Sequence, residues 1–407
     1  MTVHSSNQDR ALAWSAKDSI VAPRKSVPRQ GAARRMVVAL AGLVVVAVGI
    51  ASLSIVGSRA TAQRAAVAAA SPSAVARADS LAFLHRYLDA DGRVVRRDQG
   101  GDTVSEGQGY AMLLAVATGQ ATQFADAWHW DQTHLLLPDG LFSFHWSNGA
   151  VDDPQPASDA DLDTAWALVL AGQRFANPAY LSEAKTVAAA ILANETVTVA
   201  GKLELAAGPW AVTGPVVVNP SYLAPEAMAA LATANGDPRW SQLATSTTSI
   251  VTELTGTSPV HLLPDWVDLL PDGTVQPVGG ANGTGVPAYA LNAQRAPVWL
   301  AASCSATDRS VAARDWAVLQ PADHNGGDIA YTLAGQPDSR VVNPVGLVAA
   351  AATAQAAGHA QDATSLLSQA DQQSQRFHTY YGDAWSALGR VLLDTNWLSP
   401  CPATPST

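Results

Sequence analysis

The sequence predicts an all-α protein, a toroid of paired helices, and three observations predict it. The 407-residue chain is 48% hydrophobic, only 14% charged and very rich in Ala, so a large helical core can form. About a dozen segments carry apolar residues at the 3.6-residue helical spacing. Strand candidates are few, short apolar runs such as Val216-Val-Val218. Helices of this number, joined by short polar loops, suggest pairs closed into a ring, although helix packing alone permits other all-α arrangements.

In chain order, helices are expected over 79–90, 107–119, 122–133, 160–175, 180–195, 223–235, 238–255, 286–303, 308–318, 342–357, 361–376 and 380–394. Gly119, Gly236 and Gly358 read as stops, and Pro178, Pro225 and Pro238 as starts. The body therefore spans 79–396, followed by a tail over 397–407.

The chain before the body reads differently. Residues 1–35 carry Arg10, Lys17, Arg24, Lys25, Arg29, Arg34 and Arg35 against Asp9 and Asp18, a net charge of +5 that leaves −15 for the remainder. Residues 36–57 hold no charge, and about 20 apolar residues cross a bilayer. A basic tail before such a span orients the tail to the cytoplasm and the body outside. Either the span is an uncleaved signal anchor, or it is a secretory signal cleaved near Ala60-Thr-Ala62. Residues 58–78 read as an Ala/Ser/Arg linker, helical in part. The acidic body argues against nucleic acid as a partner. In an exported chain the two cysteines, Cys304 and Cys401, permit one disulfide, and neither has metal-ligand neighbours in sequence.

Four polar segments between apolar helices carry the candidate chemistry. In the first, Glu106 lies between Ser105 and a Gly-x-Gly turn at the mouth of a helix, with no cation near it in sequence. An apolar setting would favour its protonated form, as a general acid needs. In the second, Ser158 or Asp159 can cap a helix whose first turn suits Asp161 and Asp163; alternatively one Asp turns into a cleft and binds a sugar hydroxyl. The third offers Asn219 and Tyr222 to a ligand. The fourth pairs Asp265 with Trp266, an acid beside a ring that can stack on a sugar, and Asp268 follows. Of the 12 Trp, Trp130, Trp146, Trp210 and Trp266 are the candidate stacking residues, each open to a core role instead.

At these residues the chain resembles glycoside hydrolase family 8. Val104-Ser-Glu-Gly-Gln-Gly-Tyr110 is similar to the family's acid-bearing motif, and Ala157-Ser-Asp-Ala-Asp161 to its central Asp motif. Asn219-Pro-Ser-Tyr222, Pro264-Asp-Trp266 and Tyr381-Gly-Asp-Ala384 follow in the family's order. The resemblance implies an (α/α)6 barrel and inverting hydrolysis of a β-1,4-linked glycan, most commonly cellulose-like glucan, with no metal or organic cofactor. It assigns Glu106 as acid and Asp159 as the residue that holds the sugar at the cleavage point.

The base departs from the family pattern. Many members carry Asp-Ala-x-Arg where this chain reads Asn292-Ala-Gln-Arg295, and an amide does not take a proton from water. The loop 271–287 contains no Glu, only Asp272. Asp268, Asp272 and Asp159 are the candidate bases. Without one, the chain would be a glycan-binding subunit beside a polysaccharide synthase. A polysaccharide lyase, a third reading, would want a uronate-binding Arg cluster, which the sequence does not show.

Overall fold

The computed structural model describes residues 71–256, 262–320, 328–399 and 401. The basic tail, the span 36–57 and most of the linker lie outside the described residues, as do 402–407 of the C-terminal tail. Among the described residues no helix is long and apolar enough to cross a membrane.

The body starts earlier than the sequence suggests. Helix α1 runs Pro72–Tyr87, so its first turns fall inside the expected linker. Ser71 caps it by accepting the Ala74 N–H at 3.3 Å, and Pro72 sets the first helical φ. The helices that follow are α2 (Ser105–Thr118), α3 (Ala121–His134), α4 (Ser158–Arg174), α5 (Pro178–Asn194), α6 (Pro225–Asn235) and α7 (Pro238–Gly256). After them come α8 (Ala296–Ala302), α9 (Ala306–Arg314), α10 (Trp316–Leu319), α11 (Pro344–Ala356), α12 (Ala360–Arg376) and α13 (Tyr380–Asp394).

Six of these form an inner ring. Helix α2 packs on α4, α4 on α6, α6 on α8, α8 on α11, α11 on α13, and α13 returns to α2. The others lie outside, and α1 closes the shell by pairing with α13. Burial follows position. Every residue of α2 but Glu106 is buried, whereas α12 buries only Ala363, Leu366, Leu367 and Ala370, one stripe at helical spacing. Small residues let the inner helices approach closely. A Cβ on Gly389 of α13 would stand 2.3 Å from Val348 Cγ1 of α11. The inner-to-outer turns are tight, and Gly119 and Gly236 end α2 and α6 at φ 74° and 66°, the left-handed cap position that glycine takes without strain.

The outer-to-inner connections, apart from the three-residue link between α12 and α13, are longer and hold all eleven described strands, more than the sequence suggests. They form β1 (Thr103–Val104), β2 (His145–Ser147) and β3 (Ala150–Asp153); the hairpin β4 (Thr196–Val199) and β5 (Lys202–Leu205); β6 (Val216–Val218), β7 (Trp266–Leu269) and β8 (Val275–Val278); and β9 (Ala288–Tyr289), β10 (Asp328–Thr332) and β11 (Pro337–Val342). These antiparallel sheets stand where the inner helices begin, so one face of the toroid is built up and the other is not.

Two helix expectations are corrected. The expected helix 286–303 is helical only over Ala296–Ala302, preceded by β9 and a single 3-10 turn, Ala293–Arg295. The Asp265 carboxylate accepts the N–H groups of Ala290 and Ala293 at 3.0 and 2.7 Å, and Asp265 N–H donates to Ala288 O at 2.8 Å. Those bonds hold the segment against β7 and out of a helix. The expected helix 308–318 divides into α9 and α10 at Asp315, whose carbonyl takes the N–H groups of Val318 and Leu319 at 3.0 Å each.

Candidate active site

The N-termini of the inner helices converge on one guanidinium. Arg295, 2% exposed, ends the 3-10 turn before α8. Its Nη1 donates to Asp159 Oδ2 at 2.8 Å, to Tyr110 Oη at 3.1 Å and to Glu106 Oε2 at 3.3 Å. Its Nη2 donates to Ser221 Oγ at 2.8 Å and to Asn292 Oδ1 at 3.1 Å. Glu106 and Asp159 stand in the first turns of α2 and α4, where the positive end of the helix dipole favours a carboxylate. The sequence shows no cation near Glu106; the fold delivers one from 189 residues away.

Burial works against the charge on Arg295, but Tyr381, Tyr110, Asp159 and Glu106 around it outweigh that effect and raise its proton affinity. Burial pushes the Tyr110 and Tyr222 hydroxyls well above their ordinary range, so both stay neutral donors. Asp163, one turn below Asp159, is also raised, by burial first and by the Asp159 charge second.

Several candidate residues take a different place from the one their motifs suggest. Asp159 caps no distant group: its Oδ1 accepts the N–H of Ala160 at 2.9 Å, so together with Arg295 both its oxygens are engaged. Asn219 is fully buried and serves Ser221, accepting its N–H at 3.0 Å and its hydroxyl at 2.7 Å. It orients the site without facing a ligand. Asp265 is likewise structural, and burial raises its proton affinity to about 6 against its two backbone bonds. Asn292 is held by Arg295.

The aromatic candidates separate into two groups. Trp130 is core: 2% exposed, stacked on His134 at 4.5 Å and edge-on to Trp146 at 5.5 Å. Trp146 is half-buried, with the Arg93 guanidinium 4.2 Å over its ring. Tyr222, Trp266 and Trp210 instead make a row from the site outward. Arg295 lies 5.2 Å over Tyr222, Tyr222 is 6.1 Å from Trp266, and Trp266 is 6.5 Å from the half-buried Trp210, whose Nε1 donates to Pro156 O at 3.1 Å.

The structure does not bring the remaining candidate bases into this cluster. Asp272 is exposed in the β7–β8 turn, where it accepts the Thr274 N–H at 3.0 Å, and that bond lowers its proton affinity. Asp268 lies in the middle of β7, two residues past Trp266 and so on the same strand face. It is half-buried, its carboxylate makes no hydrogen bond to a described residue, and burial alone raises its proton affinity.

The motifs did not mark Tyr110, Ser221, Tyr380 and Tyr381 as site residues. Tyr110 was within reach, since it follows Glu106 by four positions on one helix face. Tyr381, whose hydroxyl donates to Leu291 O at 3.0 Å, opens the motif Tyr381-Gly-Asp-Ala384 on α13, whereas Tyr380 beside it stands outside every motif.

Cys304 and Cys401 form a disulfide with a Cα–Cα distance of 5.3 Å. Beside it, Glu226 Oε1 accepts the Cys304 N–H at 2.7 Å. These three residues are the only cluster of potential metal ligands among the described residues. Sulfurs joined to each other are not thiolates, so the cluster does not suit a metal.

A closed ring of six inner helices inside an outer shell, with two carboxylates on one guanidinium at its built-up mouth, is an (α/α)6 barrel. Residues 54–391 match glycosyl hydrolases family 8, and the chain belongs to that family. It is 33% identical over 201 residues to a probable endoglucanase of Novacetimonas hansenii, a match covering 46% of this chain and 56% of that one. It is 31% identical over 201 residues to an endoglucanase of Cellulomonas uda, covering 47% and 55%. The chain thus spans about half the length of the curated relatives it matches. Among solved structures it is similar to the endo-beta-1,4-glucanase CMCax from Acetobacter xylinum, with TM-score 0.65 and 25% identity over 78% of this chain and 97% of that one. In fold it also matches a beta-1,3-1,4-glucanase from Paenibacillus sp. X4, with TM-score 0.72 and 22% identity over 81% and 94% of the two chains.

Proposed function

We propose that this chain is an inverting, endo-acting hydrolase of a β-1,4-linked glucan, with Glu106 as general acid. The observation that carries this reading is the shared guanidinium. Arg295 Nη1 contacts Glu106 and Asp159 together, so their nearest oxygens lie within about 6 Å of one another. Glu106 protonates the leaving oxygen, and Asp159 grips the sugar at the cleavage point. The half-buried Tyr222 and Trp210 supply stacking faces away from that point, with the buried Trp266 packed between them.

Inversion needs a second carboxylate roughly 6.5–9.5 Å from the acid, activating water on the opposite face. Asp272 is bound to its own turn, and Asp159 is engaged at both oxygens. Asp268 alone of the three keeps its side-chain oxygens free of hydrogen bonds to described residues, and it shares a strand face with Trp266. We propose it as the base, a role that requires it to hold water across the cleft from Glu106.

Purified protein incubated with β-glucans, xylan and chitosan, read by new reducing ends and by the anomer first released, tests the reading. Hydrolysis of a β-1,4-glucan with inversion, lost in Glu106→Gln, is expected. Full activity in Glu106→Gln, or retention of configuration, would overturn it.

A second reading, a glycan-binding subunit of a polysaccharide synthase with little catalysis, is favoured by one observation. Asn292 stands at the site's centre, bonded to Arg295, where a carboxylate would have been a base. Binding of glucan without release of reducing ends would decide for it.

The same proposal places the body outside the cytoplasm, held by the span 36–57 or released after cleavage. The charge asymmetry supports it, and so does a disulfide, which persists in oxidising compartments. Protease added to intact cells should digest the body; complete protection refutes export.

A further inference from the structure

Glu106 has a third neighbour that neither its motif nor the carboxylate cluster explains. Tyr380, the first residue of α13, is 2% exposed, and its hydroxyl donates to Glu106 Oε1 at 3.5 Å. Tyr110 donates to the other oxygen, Oε2, at 3.4 Å. The acid therefore stands between two phenols, one on each oxygen. At 3.5 Å a hydrogen bond is weak, so what matters is how firmly the phenol is held there.

Tyr380 is held on every side. Its N–H donates to Asp98 Oδ1 at 3.0 Å. Its ring packs 6.2 Å from Phe83 and 6.0 Å from Tyr87, and the Arg96 guanidinium lies 5.9 Å over it. Arg96 is itself locked to Asp102 by two bonds of 2.8 and 2.6 Å, and Asp102 meets His145 at 2.9 Å. Above all, the phenol reaches the acid's own helix turn only because residue 107 is glycine: a Cβ there would stand 2.7 Å from Tyr380 Oη. The glycine after the acid, which reads in sequence as part of a turn, serves as a seat for this hydroxyl.

We propose that Tyr380 is a positioning residue for Glu106, fixing the orientation of its carboxyl group through Oε1. This rests on Glu106 being the acid. The groups facing Glu106 are Tyr110 on its own helix, Asp159 and Asp163 on α4, Arg295 before α8, Tyr222 before α6, and Tyr380 and Tyr381 on α13. A phenol donating to the ionised carboxylate stabilises the charged form, so its removal favours the proton.

The test is Tyr380→Phe, with Gly107→Ala as a second variant that keeps the phenol and displaces it. The carboxyl of Glu106 is titrated by 13C NMR, its signal assigned by its loss in Glu106→Gln. The midpoint should move up by about half a pH unit in both variants. Where the chain hydrolyses glucan, the alkaline limb of kcat/KM should move with it. In that case kcat on unactivated glucan should fall several-fold at unchanged KM, while an aryl glycoside whose leaving group needs no proton is hydrolysed as before. A role in packing alone would lower the melting temperature and leave the midpoint where it was. A folded Tyr380→Phe variant with the wild-type midpoint overturns the proposal. Because the titration needs no turnover, it decides this point whether or not Glu106 proves to be the acid.

Discussion

Arg295 and Asp159, 136 residues apart in sequence, meet through Nη1 and Oδ2 at 2.8 Å, and on that ion pair the site is assembled. The same nitrogen reaches Glu106, so one cation offsets the mutual repulsion of two carboxylates that chemistry requires close together. Asn219 acts at one remove: it orients Ser221, which accepts from the other nitrogen of the fork.

Removing the fork should be costly twice over. Arg295→Met leaves two carboxylates at a buried site without their counter-charge, and breaking such a pair typically costs about 3–5 kcal/mol. Urea denaturation should show that loss together with collapse of glucan hydrolysis. Arg295→Lys keeps the charge but not the planar fork, and should recover stability more than activity. Equal stability of Arg295→Met and wild type would show that the cluster is not a structural hub.

The base can be located by exchange. Asp268→Asn should lower hydrolysis by two to four orders of magnitude, roughly the worth of general base catalysis, with glucan binding intact. Asn292→Asp places a carboxylate beside Arg295 and should partly restore the double variant. A wild-type rate in Asp268→Asn, with a large gain in Asn292→Asp alone, would show that the native site lacks an efficient base.

The disulfide should stabilise the body. It joins residues 97 apart, and a closed loop of about 100 residues is worth roughly 4–5 kcal/mol on the chain-entropy model. Cys304→Ser with Cys401→Ser should lower the melting temperature and leave kcat on glucan unchanged at 25 °C, because Cys304 follows the C-terminal end of α8 and Arg295 precedes its N-terminal end. A melting temperature that does not respond to reductant would refute the bridge.

Stability should fall with rising pH across the mildly acidic range. The proton affinity of Asp79 is raised from 3.8 to about 7, by burial first and by the Asp371 carboxylate second. A group raised on folding stabilises fully below its unfolded value and loses that contribution as pH rises through the folded one. Glu204, raised from 4.5 to about 7 mainly by burial, acts in the same window. Asp79→Asn should therefore flatten part of the decline between pH 4 and 7 in denaturant titrations. An unchanged slope would contradict the assignment.

The close approach of α11 and α13 should be sensitive to a single methyl. Gly389→Ala drives a Cβ to within 2.3 Å of Val348 Cγ1, and overpacking of this kind costs about 1–3 kcal/mol. Val348→Ala in the same chain should return part of that loss. Additive destabilisation by the two changes would argue against the contact.

Much of this was legible in the residues themselves. Helical spacing, with glycine stops at Gly119 and Gly236, located most helices to within two or three residues, because a helix closes its bonds among near neighbours. The motif around Glu106 and the one around Asp159 each opens an inner helix, so the two residues named from sequence do stand together. What the sequence could not decide depends on contacts between distant segments. The apolar pattern over 286–303 read as one helix, yet Asp265, fixed in a sheet, takes the N–H groups that its first turns would need. Trp130 and Trp266 look alike in sequence and both are buried, and only packing sets Trp130 against His134 and Trp266 between Tyr222 and Trp210. Glu106 has no cation on its own helix, and ring closure brought Arg295 and Tyr380 to it. Local periodicity and motif order determined most of the helices, the family and the candidate for the acid. Closure of the ring decided the electrostatics of the site, because charges act through space and the chain reaches that space only once folded.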